Sequence, residues 1–182
     1  MVDKQVVRRG YDAITETYDE TRTEDSSDVA VCEDFLDGLD DDARLLDAGC
    51  GQGVPILSRT REARSVGLDL SRGQLEAARA NAPAAGLVQG DMTHLPFAAD
   101  AFDAVTAYYS LIHVPEGEHQ TVLEEFARVL RPGGRALLIE GTNEWQGTNP
   151  DWLDTGTEMQ WHIVGPGVTR EQLRTAGFAI VD

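Results

Sequence analysis

Lysine is almost missing from this chain: of its 15 basic residues only Lys4 is a lysine, and the rest are arginines. Against them stand 32 Asp and Glu, leaving a formal net charge of −17. With so few cations there is no basic stripe to neutralise phosphates, which argues against nucleic acid as a partner. Cysteine is scarce too. Cys32 and Cys50 are too few for a disulfide framework, so a reduced, cytoplasmic setting is expected. Long apolar runs are absent; nothing approaches the ~20 residues of a membrane span, and the opening MVDKQVVRRGYD lacks the apolar core of a secretory leader. The four histidines (His94, His113, His119 and His162) show no H-E-x-x-H or paired C-x-x-C spacing, so no metal is expected.

What remains is a soluble, acidic composition with an ordinary 41% of hydrophobic residues in 182, enough for one domain with a real core. A surface this acidic repels itself at low ionic strength and relies on counterions for compactness. Together with the shortage of lysine this points to a halophilic protein. If the acidity is a trait of the whole organism, charge reports the solvent rather than the partner.

The first 40 residues carry apolar side chains at helical spacing (Val7, Tyr11, Ile14, Tyr18, then Cys32, Phe35, Leu36, Leu39) and predict a helical cap. From Ala43 the texture changes to short apolar runs alternating with amphipathic helices, which predicts a parallel α/β sheet. Strands are expected at Arg44–Ala48, Ser65–Asp69, Leu87–Gly90, Phe102–Tyr108, Arg135–Glu140 and Phe178–Val181. Helices are expected near Val54, from Ser71 with Gln74 closing a capping box, across Val122 to Leu130, and from Thr169. Residues 43–140 then form the core and 169–182 a last helix and strand. The segment Gly141–Val168 is long for a connection and holds all three tryptophans, Trp145, Trp152 and Trp161, which predicts a substrate lid.

The chemistry concentrates at Leu45-Leu46-Asp47-Ala48-Gly49-Cys50-Gly51-Gln52-Gly53. Here a buried strand runs into a turn with glycine at alternate positions, where open α/β sheets place ligands. A dinucleotide fingerprint would need Gly or Ala where Val54 stands, and no Gly-Lys-Ser/Thr supplies a phosphate loop. Asp69 closes the second strand 22 residues after Asp47, where a carboxylate can accept two hydrogen bonds from a ribose diol. Gln89-Gly90-Asp91-Met92 follows the third strand.

Taken in order and spacing with Phe102–Val105, Ile112–Pro115, Arg128–Gly134 and the amino-terminal Tyr11-Asp12-Ala13-Ile14 and Tyr18-Asp19, these motifs resemble the class I S-adenosylmethionine-dependent methyltransferases, in their small-molecule form. The resemblance runs from Gly10 to Glu140. It implies a Rossmann-like, mostly parallel sheet with helices on both faces and strand order 3-2-1-4-5-6. A seventh, antiparallel strand would normally follow, but the sequence given stops at Ile180-Val181-Asp182, so that strand is expected to be missing. The resemblance further implies a cofactor site of Asp47, Gly49, Cys50, Gly51, Gly53, Asp69, Leu70, Asp91, Met92, Tyr108 and Tyr18. In it Asp91 receives the adenine amino group, and Leu70 and Met92 flank the ring.

Each residue also has a plainer role. Asp47 either contacts the ligand or orders the glycine turn, Cys50 packs within it, Asp91 is also ordinary turn chemistry after glycine, and Tyr18 is also core. An activated sulfonium donor needs alignment more than a catalytic residue. If a base exists, His113 and Tyr109 are the candidates. Trp145, Trp152, Trp161 and His162 are candidates to face the acceptor. The expected function is methyl transfer to a small molecule. The alternatives are a non-catalytic S-adenosylmethionine-binding module and a nicotinamide-dependent oxidoreductase. The stretch Thr106-Ala107-Tyr108-Tyr109-Ser110 lacks the Asn/Asp-Pro-Pro-aromatic motif of base-methylating members.

Overall fold

The computed structural model describes residues 1–21, 27–60 and 64–181, without the side chains of residues 19–21. Five parallel strands form one sheet: β1 (Leu45–Ala48), β2 (Ser65–Asp69), β3 (Gly86–Gln89), β4 (Phe102–Tyr108) and β5 (Leu130–Ile139), in the order β3-β2-β1-β4-β5. The order steps outward from β1 in one direction and then from β4 in the other, so a crevice opens above the carboxyl ends of β1 and β4. Strand β1 is buried along its whole length, which is why Leu45-Leu46-Asp47-Ala48 reads as a near-continuous apolar run.

Helices α4 (Arg72–Asn81) and α5 (Glu116–Val129) are among those that flank these strands. Helix α4 starts at an N-cap Ser71, whose hydroxyl accepts from the Gln74 amide. The expected capping box is only half made: the Gln74 side chain finds no partner, and the Ser71 amide donates to Asp69 Oδ1 instead, at 2.8 Å. Helix α5 buries Val122, Leu123, Phe126 and Val129 against Leu46, Val105 and Ala107. It stops where Leu130 begins β5, and a register shift around Asp103 lets that strand start five residues before the expected Arg135.

Two expectations fail. No α-helix starts near Val54; a turn and a single 3-10 turn at Leu57–Arg59 follow instead. Pro55 disfavours helical geometry in the residue before it. Phe178–Val181 is not a sixth strand. Phe178 packs partly against the core, but no ladder forms with β5.

The segment expected as a lid is a hairpin, β6 (Trp145–Trp152) paired antiparallel with β7 (Thr157–Ile163). Its tip turns through Leu153, Asp154 and Gly156, all at positive φ. Helix α6 (Pro166–Thr175) then begins three residues before Thr169, because Pro166 suits a first helical position.

The amino terminus forms α1 (Lys4–Ala13), α2 (Thr15–Thr21) and α3 (Ser27–Asp37). Helix α1 sits between the hairpin and the sheet edge. Val2 and Val7 bury against Met159 of β7, with Tyr11, Trp152 and Trp161 around them. The approach is close enough that a Cβ on Gly10 would lie 2.9 Å from both the Glu158 carbonyl and the Met159 methyl. Among the described residues no helix is long and apolar enough to cross a membrane.

Candidate functional site

The crevice above β1 and β4 is a cleft open at its mouth, at the place where open α/β sheets take their ligands. Its floor is the glycine turn after β1. Gly49 (φ +77°) and Gly51 (φ +52°) both take a conformation that disfavours other residues. A Cβ on Gly49 would lie 2.3 Å from Ser110 Cβ, so the turn can pass β4 only without a side chain.

Asp69 stands at the end of β2 beside this turn. Its two oxygens accept from the Gly51 and Ser71 amides, each at 2.8 Å. Desolvation outweighs these bonds and pushes its pKa up to about 6, with Asp12 adding repulsion. Asp12, on α1, accepts from Ser71 Oγ at 2.6 Å and from the Gly73 amide at 3.1 Å, so α1 is clamped onto the start of α4.

Gln74 lines the cleft, is 1% exposed, and leaves both amide atoms without a protein partner. Buried amides are rarely left so, and the arrangement suits a polar ligand.

Asp91 and Met92 follow β3 and also line the cleft. Asp91 Oδ1 accepts from the Thr93 amide and hydroxyl, and Oδ2 lies 2.6 Å from Lys4 Nζ. These partners outweigh desolvation and hold Asp91 below the ordinary carboxylate range.

One wall of the cleft is aromatic: Tyr11, Tyr18, Tyr108, Tyr109 and His113. Tyr109 is forced to φ +50° at the end of β4 and donates to Asp28 at 2.6 Å. Desolvation and that acid push its phenol up to about 12, so its hydroxyl is held as a donor. His113 lies 2.9 Å from Tyr11 Oη and is held down to about 4 by desolvation.

Of the residues expected to form the site, the structure brings Tyr18, Gly49, Gly51, Asp69, Leu70, Asp91, Met92, Tyr108, Tyr109 and His113 onto the cleft lining. Asp47, Cys50 and Gly53 lie beneath it. Asp47 is 2% exposed and accepts from Thr106 Oγ1 at 2.8 Å, a bond that ties β1 to β4. Cys50 packs under β2, where desolvation and then Asp69 and Asp47 push its thiol well up.

None of Trp145, Trp152, Trp161 and His162 lines the cleft. Trp152 packs edge-on to Tyr11 at 5.6 Å and Trp161 lies 6.0 Å from His113, one layer behind the wall. Helix α1 takes the place expected for the hairpin. His162 faces Glu116 at 3.7 Å.

Sequence reasoning did not assign Lys4, Arg8, Ser71, Gln74 and Ser110 to the site, nor Tyr11 to the cleft wall. Lys4 carried a signal as the chain's sole lysine. Gln74 was read as a capping residue. Among the described residues, no group of three or more His, Cys, Asp or Glu is arranged to hold a metal.

Residues 46–138 match the family model described as a methyltransferase domain. The chain is 42% identical over 105 residues to methyltransferase GfsG of Streptomyces halstedii, covering 53% of this chain and 37% of that one. It is 32% identical over 188 residues to the malonyl-[acyl-carrier protein] O-methyltransferase of Dechloromonas aromatica, covering 98% and 68%. Among solved structures, the [4+2]-cyclase SpnF superposes with a TM-score of 0.73 at 27% identity, covering 100% of this chain and 75% of that one. The chain spans about a third of the length of some of the curated relatives it matches. With the matched region running from β1 to β5 and the glycine turn, Asp69 and Asp91 converging on one cleft, the chain belongs to the class I methyltransferase family whose cofactor is S-adenosylmethionine.

Proposed function

We propose that this protein transfers a methyl group from S-adenosylmethionine to a small-molecule acceptor. The observation that carries the proposal is the one cleft that Gly49, Gly51 and Asp69, Asp91 and Met92, and an aromatic wall line together. The site fits the cofactor on two counts: a glycine turn that brings bare backbone to the cleft, and a buried Gln74 amide whose polar atoms make no hydrogen bond within the protein.

In this reading the cofactor supplies an activated methyl group on a sulfonium. Asp69 accepts the ribose hydroxyls through lone pairs not used by the Gly51 and Ser71 amides. Leu70 and Met92 flank the adenine, Asp91 accepts from its amino group, and the glycine turn lets the amino-acid end approach the backbone. Tyr18, Tyr108 and Tyr109 exclude water from the reacting end and orient the acceptor. His113 is neutral, and its Nε2 is already engaged by Tyr11, so it acts by holding that wall in place.

Two carboxylates in the cleft and the net charge of −17 support a small acceptor over nucleic acid. The composition supports a cytoplasmic protein of a salty interior. A non-catalytic cofactor-binding module remains the competing assignment, and the [4+2]-cyclase with this fold shows why transfer itself must be measured.

The test supplies methyl-labelled S-adenosylmethionine with fractionated cell extract and follows label into small metabolites. Asp69→Ala serves as the control. It should lower cofactor affinity at least tenfold, since hydrogen bonds to a charged group contribute roughly 1.5–3 kcal/mol each. Tight cofactor binding without label transfer to any fraction would favour the binding module. Unchanged affinity in Asp69→Ala would remove that residue from the site.

A further inference from the structure

Lys4 lies in the first turn of α1, yet its ammonium reaches across the cleft margin to the turn after β3. There it meets Asp91 Oδ2 at 2.6 Å, Thr93 Oγ1 at 3.3 Å and Glu118 Oε2 of α5. An ammonium has three hydrogens, and here each has an acceptor. Asp91 is equally committed, because its other oxygen already takes the Thr93 amide and hydroxyl at 2.9 and 2.8 Å. The cluster is only partly exposed, 20% for the Lys4 side chain and 32% for Asp91. Both residues line the cleft.

This arrangement conflicts with the role proposed above for Asp91. An adenine amino group can donate to that carboxylate only by sharing or taking the oxygen that Lys4 holds. Glu118 gives Lys4 a second anion to stay with when it yields, so displacement leaves no stranded charge. The same contact ties α1 to the sheet, and α1 carries Tyr11 and the Asp12 clamp on α4.

We propose that Lys4 is a competitor built into the cofactor site: it latches α1 to Asp91, and the cofactor's amino-purine must displace it to bind. The proposal rests on the reading that the adenine lies at Asp91. Lys4 thereby sets cofactor affinity. It also couples that affinity to salt, because screening weakens the ion pair but hardly touches the neutral hydrogen-bonding edge of the purine.

Calorimetry on the full chain tests this with S-adenosylhomocysteine, which carries no net charge, and S-inosylhomocysteine, whose purine has a carbonyl in place of the amino group. Lys4→Met should bind S-adenosylhomocysteine about three- to fivefold more tightly, the scale of a part-exposed ion pair. It should improve S-inosylhomocysteine less, because the carbonyl at the 6-position only accepts and meets the freed carboxylate as one acceptor against another. In the wild type, raising potassium chloride should tighten S-adenosylhomocysteine binding, and in Lys4→Met that gain should vanish. Asp91→Ala separates the two layers of the argument. If it leaves S-adenosylhomocysteine affinity unchanged, the adenine lies elsewhere and the latch falls with that reading. If it weakens binding while Lys4→Met binds no more tightly, the adenine reading stands and the latch is overturned. Equal gains for both nucleosides in Lys4→Met would also overturn it, since loosening α1 would then suffice without competition.

Discussion

The Tyr11 hydroxyl lies 2.9 Å from His113 Nε2, and His113 Nδ1 lies 2.9 Å from the Gln160 main-chain carbonyl. A carbonyl can only accept, so Nδ1 carries the ring hydrogen. The ring is neutral at pH 7 because desolvation holds it down to about 4, so Nε2 accepts and Tyr11 donates. One chain of bonds therefore joins α1, the turn after β4 and β7, and sets the tautomer without invoking a substrate.

Breaking that chain should cost stability on both sides of the histidine. His113→Ala removes both bonds of the ring and should lower unfolding free energy by about 2–3 kcal/mol. Tyr11→Phe removes only one bond and should cost about 1 kcal/mol. Urea unfolding of each variant reads both numbers. Losses under about 0.5 kcal/mol for His113→Ala would mean the network does not hold the hairpin to α1.

The same residue pairs with Asp69 in an opposing pH effect. His113 titrates near 4 when folded and 6.5 when free, so the unfolded chain takes up its proton first, and stability drains away as pH falls from 6.5 toward 4. Asp69 titrates near 6 when folded and 3.8 when free, so the folded chain holds the extra proton, and stability drains away as pH rises from 3.8 through 6. Between pH 4 and 6 the two slopes cancel. Asp69→Asn should expose the histidine slope, with stability rising with pH by at most about 1.4 kcal/mol per unit. His113→Ala should expose the opposite slope. Denaturant midpoints at half-unit intervals check both signs, and parallel curves for the two variants would refute the assignment.

The net charge of −17 carries its own expectation. If it is an adaptation to salt, the melting temperature should climb substantially from low to molar potassium chloride as self-repulsion is screened. A flat melting temperature over that range would dismiss the halophilic reading.

The tryptophans should now separate by burial rather than by acceptor contact. Trp152 and Trp161 form the layer behind Tyr11 and His113, whereas Trp145 is 46% exposed. Replacing Trp152 or Trp161 with Ala should cost about 2 kcal/mol or more, part of the toll for a fully buried aromatic. Trp145→Ala should cost less than either. Thermal melts rank them, and a Trp145 variant less stable than the other two would contradict the packing.

Local pattern decided much of this protein. Ser65–Asp69 and Phe102–Tyr108 were legible as strands to the residue, because buried parallel strands are short apolar runs cut off by turn residues. Gly49, Gly51, Asp69 and Asp91 were legible as one site because strand order forces the ends of β1, β2 and β3 together. What only tertiary structure decided is which group each of them meets. Asp47 meets Thr106, 59 residues away. Asp91 meets Lys4 across 87 residues, and no local spacing announces an ion pair between a helix start and a strand end. The hairpin was hidden for a similar reason. Strand propensity depends on what the strand packs against, and β6 and β7 gain their partner only when Met159 buries beneath α1. Periodicity is fixed by the backbone's own repeat and survives in a single sequence. Long-range contacts depend on how separate elements pack, and that is settled only once the chain has folded.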